Sequence, residues 1–171
     1  MKVHRHLFTD GSVNTKSKVG YGAWLWLDEI SGPIATLKNN VKTQRFEATS
    51  STRLELQTLL CALNEWVELG CRKEIALTVY TDSQNIIGLP ERRNRLERDD
   101  YFSRRKKRLK NYELYQEFYL FIDRVQCKLV KVKGHQAPAQ RNHIAERFSL
   151  VDQAARHALR TDGDRHRDKD S

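Results

Sequence analysis

Apolar and polar residues alternate with a period of two in the N-terminal part of the chain, which is typical of β-strands. The first apolar stretch is followed by the turn dipeptide Asp10-Gly11, which predicts that this strand ends at residue 9. A second turn, at residues 31–33, separates two further extended stretches. We therefore predict three strands, at residues 3–9, 21–28 and 34–41.

From Thr52 onwards the apolar spacing changes to three and four residues, which predicts helices, and shorter apolar runs between them predict strands. The first of these helices is closed by Gly70, and the next, a short one, stops before Pro90. The predicted helices cover residues 52–70, 84–88, 114–125 and 143–160, and the predicted strands cover residues 75–80 and 127–132.

This order of elements predicts an α/β fold, a mixed sheet with helices packed on its faces. The strands at the start of the chain are antiparallel, and the later strands are connected through helices. The chain of 171 residues is long enough for one domain, which we place at residues 1–160, with a disordered tail at residues 161–171. We expect the three tryptophans, Trp24, Trp26 and Trp66, to lie in the core.

The net charge of +9 favours a polyanionic partner, either nucleic acid or an anionic membrane surface. No apolar stretch is long enough to span a bilayer, and residues 1–6 lack the apolar core of a signal peptide. Three cysteines, an odd number without metal-type spacing, are typical of a reduced cytosolic chain. We therefore expect a cytoplasmic monomer.

Two of the predicted strands end in an acid, Asp10 after the first and Asp82 after the strand at residues 75–80. Chemistry in open sheets collects beyond the carboxyl ends of central strands. Two carboxylates placed there repel each other unless they are protonated or neutralised by a cation. Clustered carboxylate oxygens suit hard divalent cations such as Mg²⁺, so the pattern predicts a metal site.

Each candidate residue also has an ordinary structural interpretation. Asp10 could begin a turn before Gly11, and Asp82 could be the N-cap of the helix that follows it. Glu55 fits a capping box in which Thr52 is the N-cap and Glu55 folds back onto it. His135, in a glycine-containing loop, could be a solvated histidine.

The order of six short motifs distinguishes between these interpretations. The motifs are Thr9-Asp10-Gly11-Ser12, Gly20-Tyr21-Gly22-Ala23, Thr52-Arg53-Leu54-Glu55-Leu56, Tyr80-Thr81-Asp82-Ser83-Gln84, Lys110-Asn111-Tyr112-Glu113-Leu114-Tyr115-Gln116 and Val132-Lys133-Gly134-His135. In this order they resemble the type 1 ribonuclease H family, and the resemblance extends from Leu7 to about Arg160.

The resemblance implies a ribonuclease H-like fold, with a five-stranded mixed sheet and helices on both faces. It implies that four carboxylates hold two Mg²⁺ ions, with Mn²⁺ as an alternative metal. The reaction would be hydrolysis of the RNA strand of an RNA–DNA hybrid, leaving 5′-phosphate and 3′-hydroxyl ends. By resemblance, Asp10, Glu55 and Asp82 are three of the four carboxylates, and His135 assists proton transfer and product release.

The fourth carboxylate has two candidates. Counting from His135 without a gap reaches Glu146, whereas a longer loop reaches Asp152. The two positions are about 120° apart on a helix, so both cannot face the metals equally. We favour Asp152, because the small residues after it permit close packing, and because Arg147 beside Glu146 indicates a surface ion pair.

The resemblance also indicates residues that contact substrate. A basic insertion at residues 91–110, with ten Lys or Arg against four Asp or Glu, occupies the position of a protrusion that some relatives use to grip the hybrid. Its ordinary interpretation is a solvated charge run. The candidate contacts are Ser12, Asn14 (or Lys16), Ser51, Thr52, Arg53, Gln84, Arg104, Arg105, Lys106, Lys107 and Arg108.

Two other functions fit parts of the sequence. One is an integrase-like or resolvase-like DNA nuclease of related fold. The second motif, Gly20-Tyr21-Gly22-Ala23, and the last, which ends in Lys133-Gly134-His135, fit a hybrid nuclease better than such a DNA nuclease. The other is a non-catalytic module that binds hybrids or duplexes and has lost the chemistry. Such a module would be expected to have lost an acid, whereas three acids are in clear register.

Overall fold

A computed structural model describes residues 3–70, 75–133 and 142–169 of the chain. In chain order the strands are β1 (His4–Asn14), β2 (Val19–Leu27), β3 (Lys42–Phe46), β4 (Ala76–Thr81) and β5 (Cys127–Lys131). The helices are α1 (Ser51–Glu68), α2 (Gln84–Ile87), α3 (Leu89–Arg98), α4 (Tyr112–Arg124) and α5 (His143–Arg167), and a 3-10 helix covers Leu37–Asn40.

The five strands form one mixed sheet in the order β3-β2-β1-β4-β5. The pairs β1–β2 and β2–β3 are antiparallel, and the pairs β1–β4 and β4–β5 are parallel. One hydrophobic core lies between the sheet and helices α1 to α4, and a second lies between the sheet and α5. The predicted α/β fold, with a mixed sheet covered on both faces, is therefore confirmed.

The tryptophans lie with the core, as predicted. Trp24 and Trp66 are buried, and Trp26 is partly buried against them.

The first strand is longer than predicted. It continues through Asp10 and Gly11 to Asn14, and the chain reverses only at residues 14–18, where the carboxamide of Asn14 accepts the backbone N–H groups of Lys16 and Ser17. The prediction that Asp10-Gly11 forms a turn is wrong, because both residues pair with β2 in extended conformation.

The third strand lies further along the chain than predicted. Residues 34–41 contain the 3-10 helix, and β3 begins at Lys42. This edge strand is mostly polar and exposed, so it carries no apolar alternation that a sequence pattern could detect. It is fixed instead by pairing with residues 20–24 of β2.

Helices also extend where the sequence predicted charge or disorder. Pro90 lies in the first turn of α3, where its missing N–H costs nothing, so the first part of the basic insertion is helical. The last helix continues to Arg167, and the predicted disorder is wrong for residues 161–167. Asp162 anchors this extra segment, since its carboxylate accepts hydrogen bonds from the Tyr21 hydroxyl (2.9 Å) and from Arg45 Nε (3.0 Å).

Three glycines allow α1 to lie close against β1 and β2. A Cβ atom at Gly22 would be 2.0 Å from Thr58 Oγ1, and one at Gly20 would be 2.7 Å from Leu54 Cδ2. At Gly11 the corresponding distance to Leu54 Cδ2 is 3.0 Å. The glycines of the second motif therefore set the distance between α1 and the sheet.

We predict that Gly22→Ala destabilises the protein by about 1–3 kcal/mol, because the added methyl group overpacks the contact with Thr58. The double variant Gly22→Ala/Thr58→Ala should recover part of this stability, since Thr58 Cβ would still be 2.8 Å from the new Cβ. Urea unfolding gives the free energies. Gly163→Ala is the matched control, because nothing lies within 4 Å of a Cβ there, and it should stabilise α5 slightly. A Gly22→Ala protein as stable as the parent would contradict the close approach.

Candidate active site

Asp10, within β1, and Asp82, directly after β4, lie side by side. The parallel register of β1 and β4 pairs Phe8 with Tyr80, so Asp10 and Asp82, each two residues further on, are level with each other. Asp82 is not the N-cap of α2, because Ser83 takes that position and its Oγ accepts the N–H of Ile86. The ordinary interpretations of both aspartates are therefore excluded by the geometry.

Glu55 reaches the same place from α1. The N-cap of this helix is Ser50, whose Oγ accepts the backbone N–H of Arg53 at 3.3 Å. Glu55 is thus the fifth residue of the helix rather than the third, and the predicted capping box with Thr52 does not form. Its carboxylate instead lies near enough to the Ser83 hydroxyl for that group to lower the pKa of Glu55, against the larger effect of burial.

The structure separates the two candidates for the fourth acid. Asp152 on α5 lies close enough to Asp10 to raise the pKa of that residue, and its Oδ1 accepts a hydrogen bond from Arg156 Nε at 3.0 Å. Glu146, one and a half turns earlier, does not line this site. It lies near His143 and Arg147 at the start of the helix.

Arg147 differs from the expected surface residue. Its side chain is 1% exposed, and its guanidinium donates to the carbonyl oxygen of Gly32 at 2.6 Å. The pair with Glu146 is made at 3.4 Å, but the arginine half of it is buried. The adjacent charges in the sequence therefore do not mark a solvated pair.

The four carboxylates line one open cavity of about 480 Å³. It lies at the carboxyl ends of β1 and β4, between the start of α1 and the middle of α5. Its lining residues are Asp10, Gly11, Ser12, Val13, Glu55, Asp82, Asp152, Arg156, Leu159 and Arg160.

Burial and the crowding of negative charge raise the pKa values of Asp10 and Glu55. Burial, followed by repulsion from Asp82 and Asp152, raises the pKa of Asp10 from 3.8 to about 8. Burial also raises the pKa of Glu55, and repulsion from Asp82 adds to this, although the Ser83 hydroxyl opposes it. A site that holds its carboxylates against such repulsion would be stabilised by a bound cation.

The donor set fits a hard divalent cation, since it offers several carboxylate oxygens and no thiolate. Within the described residues, no group of three or more His, Cys, Asp or Glu side chains is already arranged to hold a metal ion. The acids therefore share one cavity, but their side chains do not converge on one point.

The predicted substrate contacts outside the basic insertion fall into two groups. Ser12 lines the cavity, and Ser51 and Thr52 lie in the first turn of α1 at the same end of the sheet. The others are engaged within the protein: Asn14 caps the hairpin turn, Arg53 donates to the Asn111 side chain at 3.3 Å, and Gln84 accepts from Lys131 Nζ at 2.5 Å.

Residues 99–111, here called the basic loop, form an ordered turn between α3 and α4. Phe102 pairs with Arg108 in an isolated antiparallel bridge, and the Arg108 guanidinium lies 4.8 Å from the ring centroids of both Phe102 and Tyr112. Tyr101 is buried beneath the turn. The loop therefore presents an exposed tip rather than a mobile charge run. The tip residues are Arg104, Arg105, Lys106 and Lys107.

Three residues belong to the site but were not predicted from the sequence, namely Ser83, Arg156 and Arg160. Arg156 could have been found, because it stands four residues after Asp152 on a helix, where opposite charges meet. Ser83 and Arg160 carry no such signal. His135 lies outside the described residues. Within the parts of the chain that the structure covers, no helix is long and apolar enough to cross a membrane.

Comparison with known proteins decides the family. The family model described as RNase H matches residues 3–159, which is most of the chain. The chain belongs to the RNase H family. The resemblance inferred from the six motifs is therefore confirmed.

Individual relatives support this RNase H assignment. The chain is 26% identical over 142 residues to the ribonuclease H of Caldicellulosiruptor saccharolyticus, a match that covers 82% of this chain and 90% of the relative. Its fold is similar to the solution structure of the PFV RNase H domain, with a TM-score of 0.68, 17% identity and coverage of 90% and 92% of the two chains. It is also similar to a foamy viral protease-reverse transcriptase solved in complex with dsDNA, with a TM-score of 0.58, 10% identity and coverage of 90% and 94%.

We predict that Asp10→Asn stabilises the metal-free protein at pH 8 but much less at pH 4. The raised pKa of Asp10 means that, between about pH 4 and pH 8, the unfolded chain has released a proton that the folded chain keeps. The parent's free energy of unfolding therefore falls as the pH rises, and the amide removes this dependence. The difference at pH 8 should be at least about 1 kcal/mol.

Urea unfolding in the presence of a chelator, at both pH values, measures this effect. Addition of Mg²⁺ at pH 8 should then stabilise the parent more than the variant. A stability difference that does not change with pH would show that Asp10 is not held in a repulsive site.

Proposed function

We propose that this RNase H family protein is an Mg²⁺-dependent endonuclease that hydrolyses the RNA strand of RNA–DNA hybrids. The observation that supports this most strongly is the arrangement of Asp10, Glu55, Asp82 and Asp152 around one cavity. Four elements contribute these acids: Asp10 lies within β1, Asp82 follows β4, and Glu55 and Asp152 lie on helices on opposite faces of the sheet. A module that only binds nucleic acid has no use for a group of acids that repels phosphate.

These four carboxylates would hold two divalent cations. When bound, such a pair activates a water molecule on one side of the scissile phosphate and stabilises the leaving 3′ oxygen on the other, which gives 5′-phosphate and 3′-hydroxyl products. Asp10 is close enough to Asp82 and Asp152 for both to raise its pKa, so we assign it a central part in holding the cations. The ion pair with Arg156 holds the carboxylate of Asp152 in orientation.

Hydroxyl groups near the cavity would distinguish RNA from DNA. Ser12 lies in the cavity wall, and Ser51 and Thr52 lie at the start of α1. Hydroxyls in such positions can bond the 2′-OH groups that only the RNA strand carries. Arg53 and Gln84 would add polar contacts by exchanging their present partners for the substrate. His135 is assigned to proton transfer and product release by resemblance alone.

The basic loop would bind phosphates beside the cavity. Its base is tied to the start of α1, which carries Glu55, by the hydrogen bond from Arg53 to Asn111. Four exposed cations at the tip provide affinity that is independent of base sequence.

A cleavage assay tests the proposal. End-labelled RNA–DNA hybrid, double-stranded RNA and double-stranded DNA are incubated with the protein, with and without Mg²⁺. We expect cleavage of the RNA strand of the hybrid only, and only with Mg²⁺. Cleavage of double-stranded DNA would favour a related DNA nuclease, and binding of the hybrid without any cleavage would favour a non-catalytic module.

We predict that Asp152→Asn lowers turnover of the hybrid by at least about tenfold, which corresponds to about 1.4 kcal/mol of activation free energy. Glu146→Gln is the matched control on the same helix and should leave turnover nearly unchanged, because Glu146 does not line the cavity. Steady-state kinetics with the labelled hybrid measure both. Impaired Glu146→Gln beside normal Asp152→Asn would reverse our assignment of the fourth carboxylate.

We predict that neutralising the loop tip with Arg105→Gln/Lys107→Gln weakens binding to hybrids of any sequence. The slope of log affinity against log salt should become smaller by just under about one unit for each phosphate that the tip no longer binds. The control Arg124→Gln/Lys128→Gln removes the same charge. Its two residues lie at the C-terminal end of α4 and at the start of β5, away from the basic loop. Equal salt slopes for the two variants would show that the tip binds no phosphates.

A further inference from the structure

A second cavity, of about 630 Å³, lies on the outer side of α5, between this helix and the 3-10 helix. We call it the Lys38 groove. Its lining residues are Lys38, Val41, Leu150, Asp152, Gln153, Ala154, Arg156, His157 and Arg160.

The Lys38 groove is continuous with the candidate active site. Asp152, Arg156 and Arg160 line both cavities. These three residues follow one another at intervals of four, so they form a row along one side of α5. A strand that leaves the catalytic cavity across this row enters the groove directly.

The charge of the groove suits a polyanion. Lys38 and Arg160 are exposed, and neither side chain has a hydrogen bond or ion pair with any of the described residues. Arg156 is engaged with Asp152, which is the single acid among the residues that line the groove. His157 adds a group that can donate a hydrogen bond.

Both walls of the groove are anchored. On one wall, Leu37 and Val41 pack against the core beneath α5 and hold the 3-10 helix that carries Lys38. On the other, the Asp162 carboxylate is only 14% exposed and is held by Tyr21 and Arg45. Arg160 therefore stands on a fixed part of the helix, just beyond the end of the family match at residue 159.

We propose that the Lys38 groove binds the phosphate backbone of the nucleic-acid strand that is cut, a few nucleotides from the scissile phosphate. This inference rests on the proposed function for the position of the cut. Arg160 is eight residues after Asp152, or about 12 Å along the helix. At a rise of about 3.4 Å per nucleotide, this distance corresponds to three or four phosphates.

The first experiment measures affinity without cleavage. In an Asp10→Asn background, the variant Lys38→Gln/Arg160→Gln is compared with the control Arg124→Gln/Lys128→Gln, which removes the same charge far from both cavities. We expect the groove variant to bind a long hybrid about tenfold or more weakly than the control, with a salt slope smaller by up to about two units. Equal affinities and slopes would overturn the proposal.

The second experiment measures distance. In catalytically intact protein, substrates carry a short RNA block in a DNA strand, placed either fewer than about three or more than about six nucleotides from one duplex end. The single variant Lys38→Gln, which leaves the lining of the candidate active site intact, should raise KM for the distant block and leave it unchanged for the near block, on one side only. An equal rise for both positions would indicate a general charge effect and overturn the proposal.

The two results separate this inference from the proposed function. A parent protein that cleaves none of the substrates would refute the nuclease assignment, while the affinity difference in the first experiment would still locate a strand in the groove. Cleavage of the distant-block substrate with normal kinetics by the Lys38→Gln variant would refute the binding of a strand in the Lys38 groove. The nuclease assignment would remain intact.

Discussion

The arrangement of the site depends on how closely α1 lies against the sheet. Glu55 is carried by this helix, whereas Asp10 and Asp82 are carried by the strands beneath it. Because a Cβ at Gly22 would be 2.0 Å from Thr58 Oγ1, any side chain there would push the helix away from β2. Close packing transmits such a shift along the whole helix. The distance between the helix acid and the strand acids is therefore set by residues that take no part in chemistry.

The same arrangement opposes folding. Burial, and then repulsion from Asp82 and Asp152, raises the pKa of Asp10, so ionising this group in the folded state costs free energy. Other contacts must supply the stability that the site removes. Two separate cores on the two faces of the sheet do so, and each one also fixes an acid-bearing helix, α1 on one face and α5 on the other.

The sequence predicted the elements that have a regular apolar period, and the residues that the geometry of a parallel sheet brings together. Acids at strand ends meet at one edge of a parallel pair, so Asp10 and Asp82 could be brought together without a structure. The polar edge strand β3 has no apolar alternation, and Pro90 signals a helix end as readily as a helix start. Arg147 is buried because the carbonyl of Gly32, far away in sequence, accepts its hydrogen bond, and no local pattern contains that contact.

The cations behind the net charge of +9 are distributed around the acidic cavity, and this distribution bears on how a polyanion could bind there. The cavity of the candidate active site concentrates acids, and a phosphate backbone would be repelled from it if the surroundings were neutral. The basic loop lies on the α1 side of this cavity, and Arg156 and Arg160 line it on the α5 side. If the protein cuts a strand here as proposed, cations on both flanks would hold that strand by its neighbouring phosphates, and the repelled scissile phosphate would lie between two attracted segments. Affinity and chemistry are then assigned to different residues, which allows the acids to remain crowded while substrate binding is preserved.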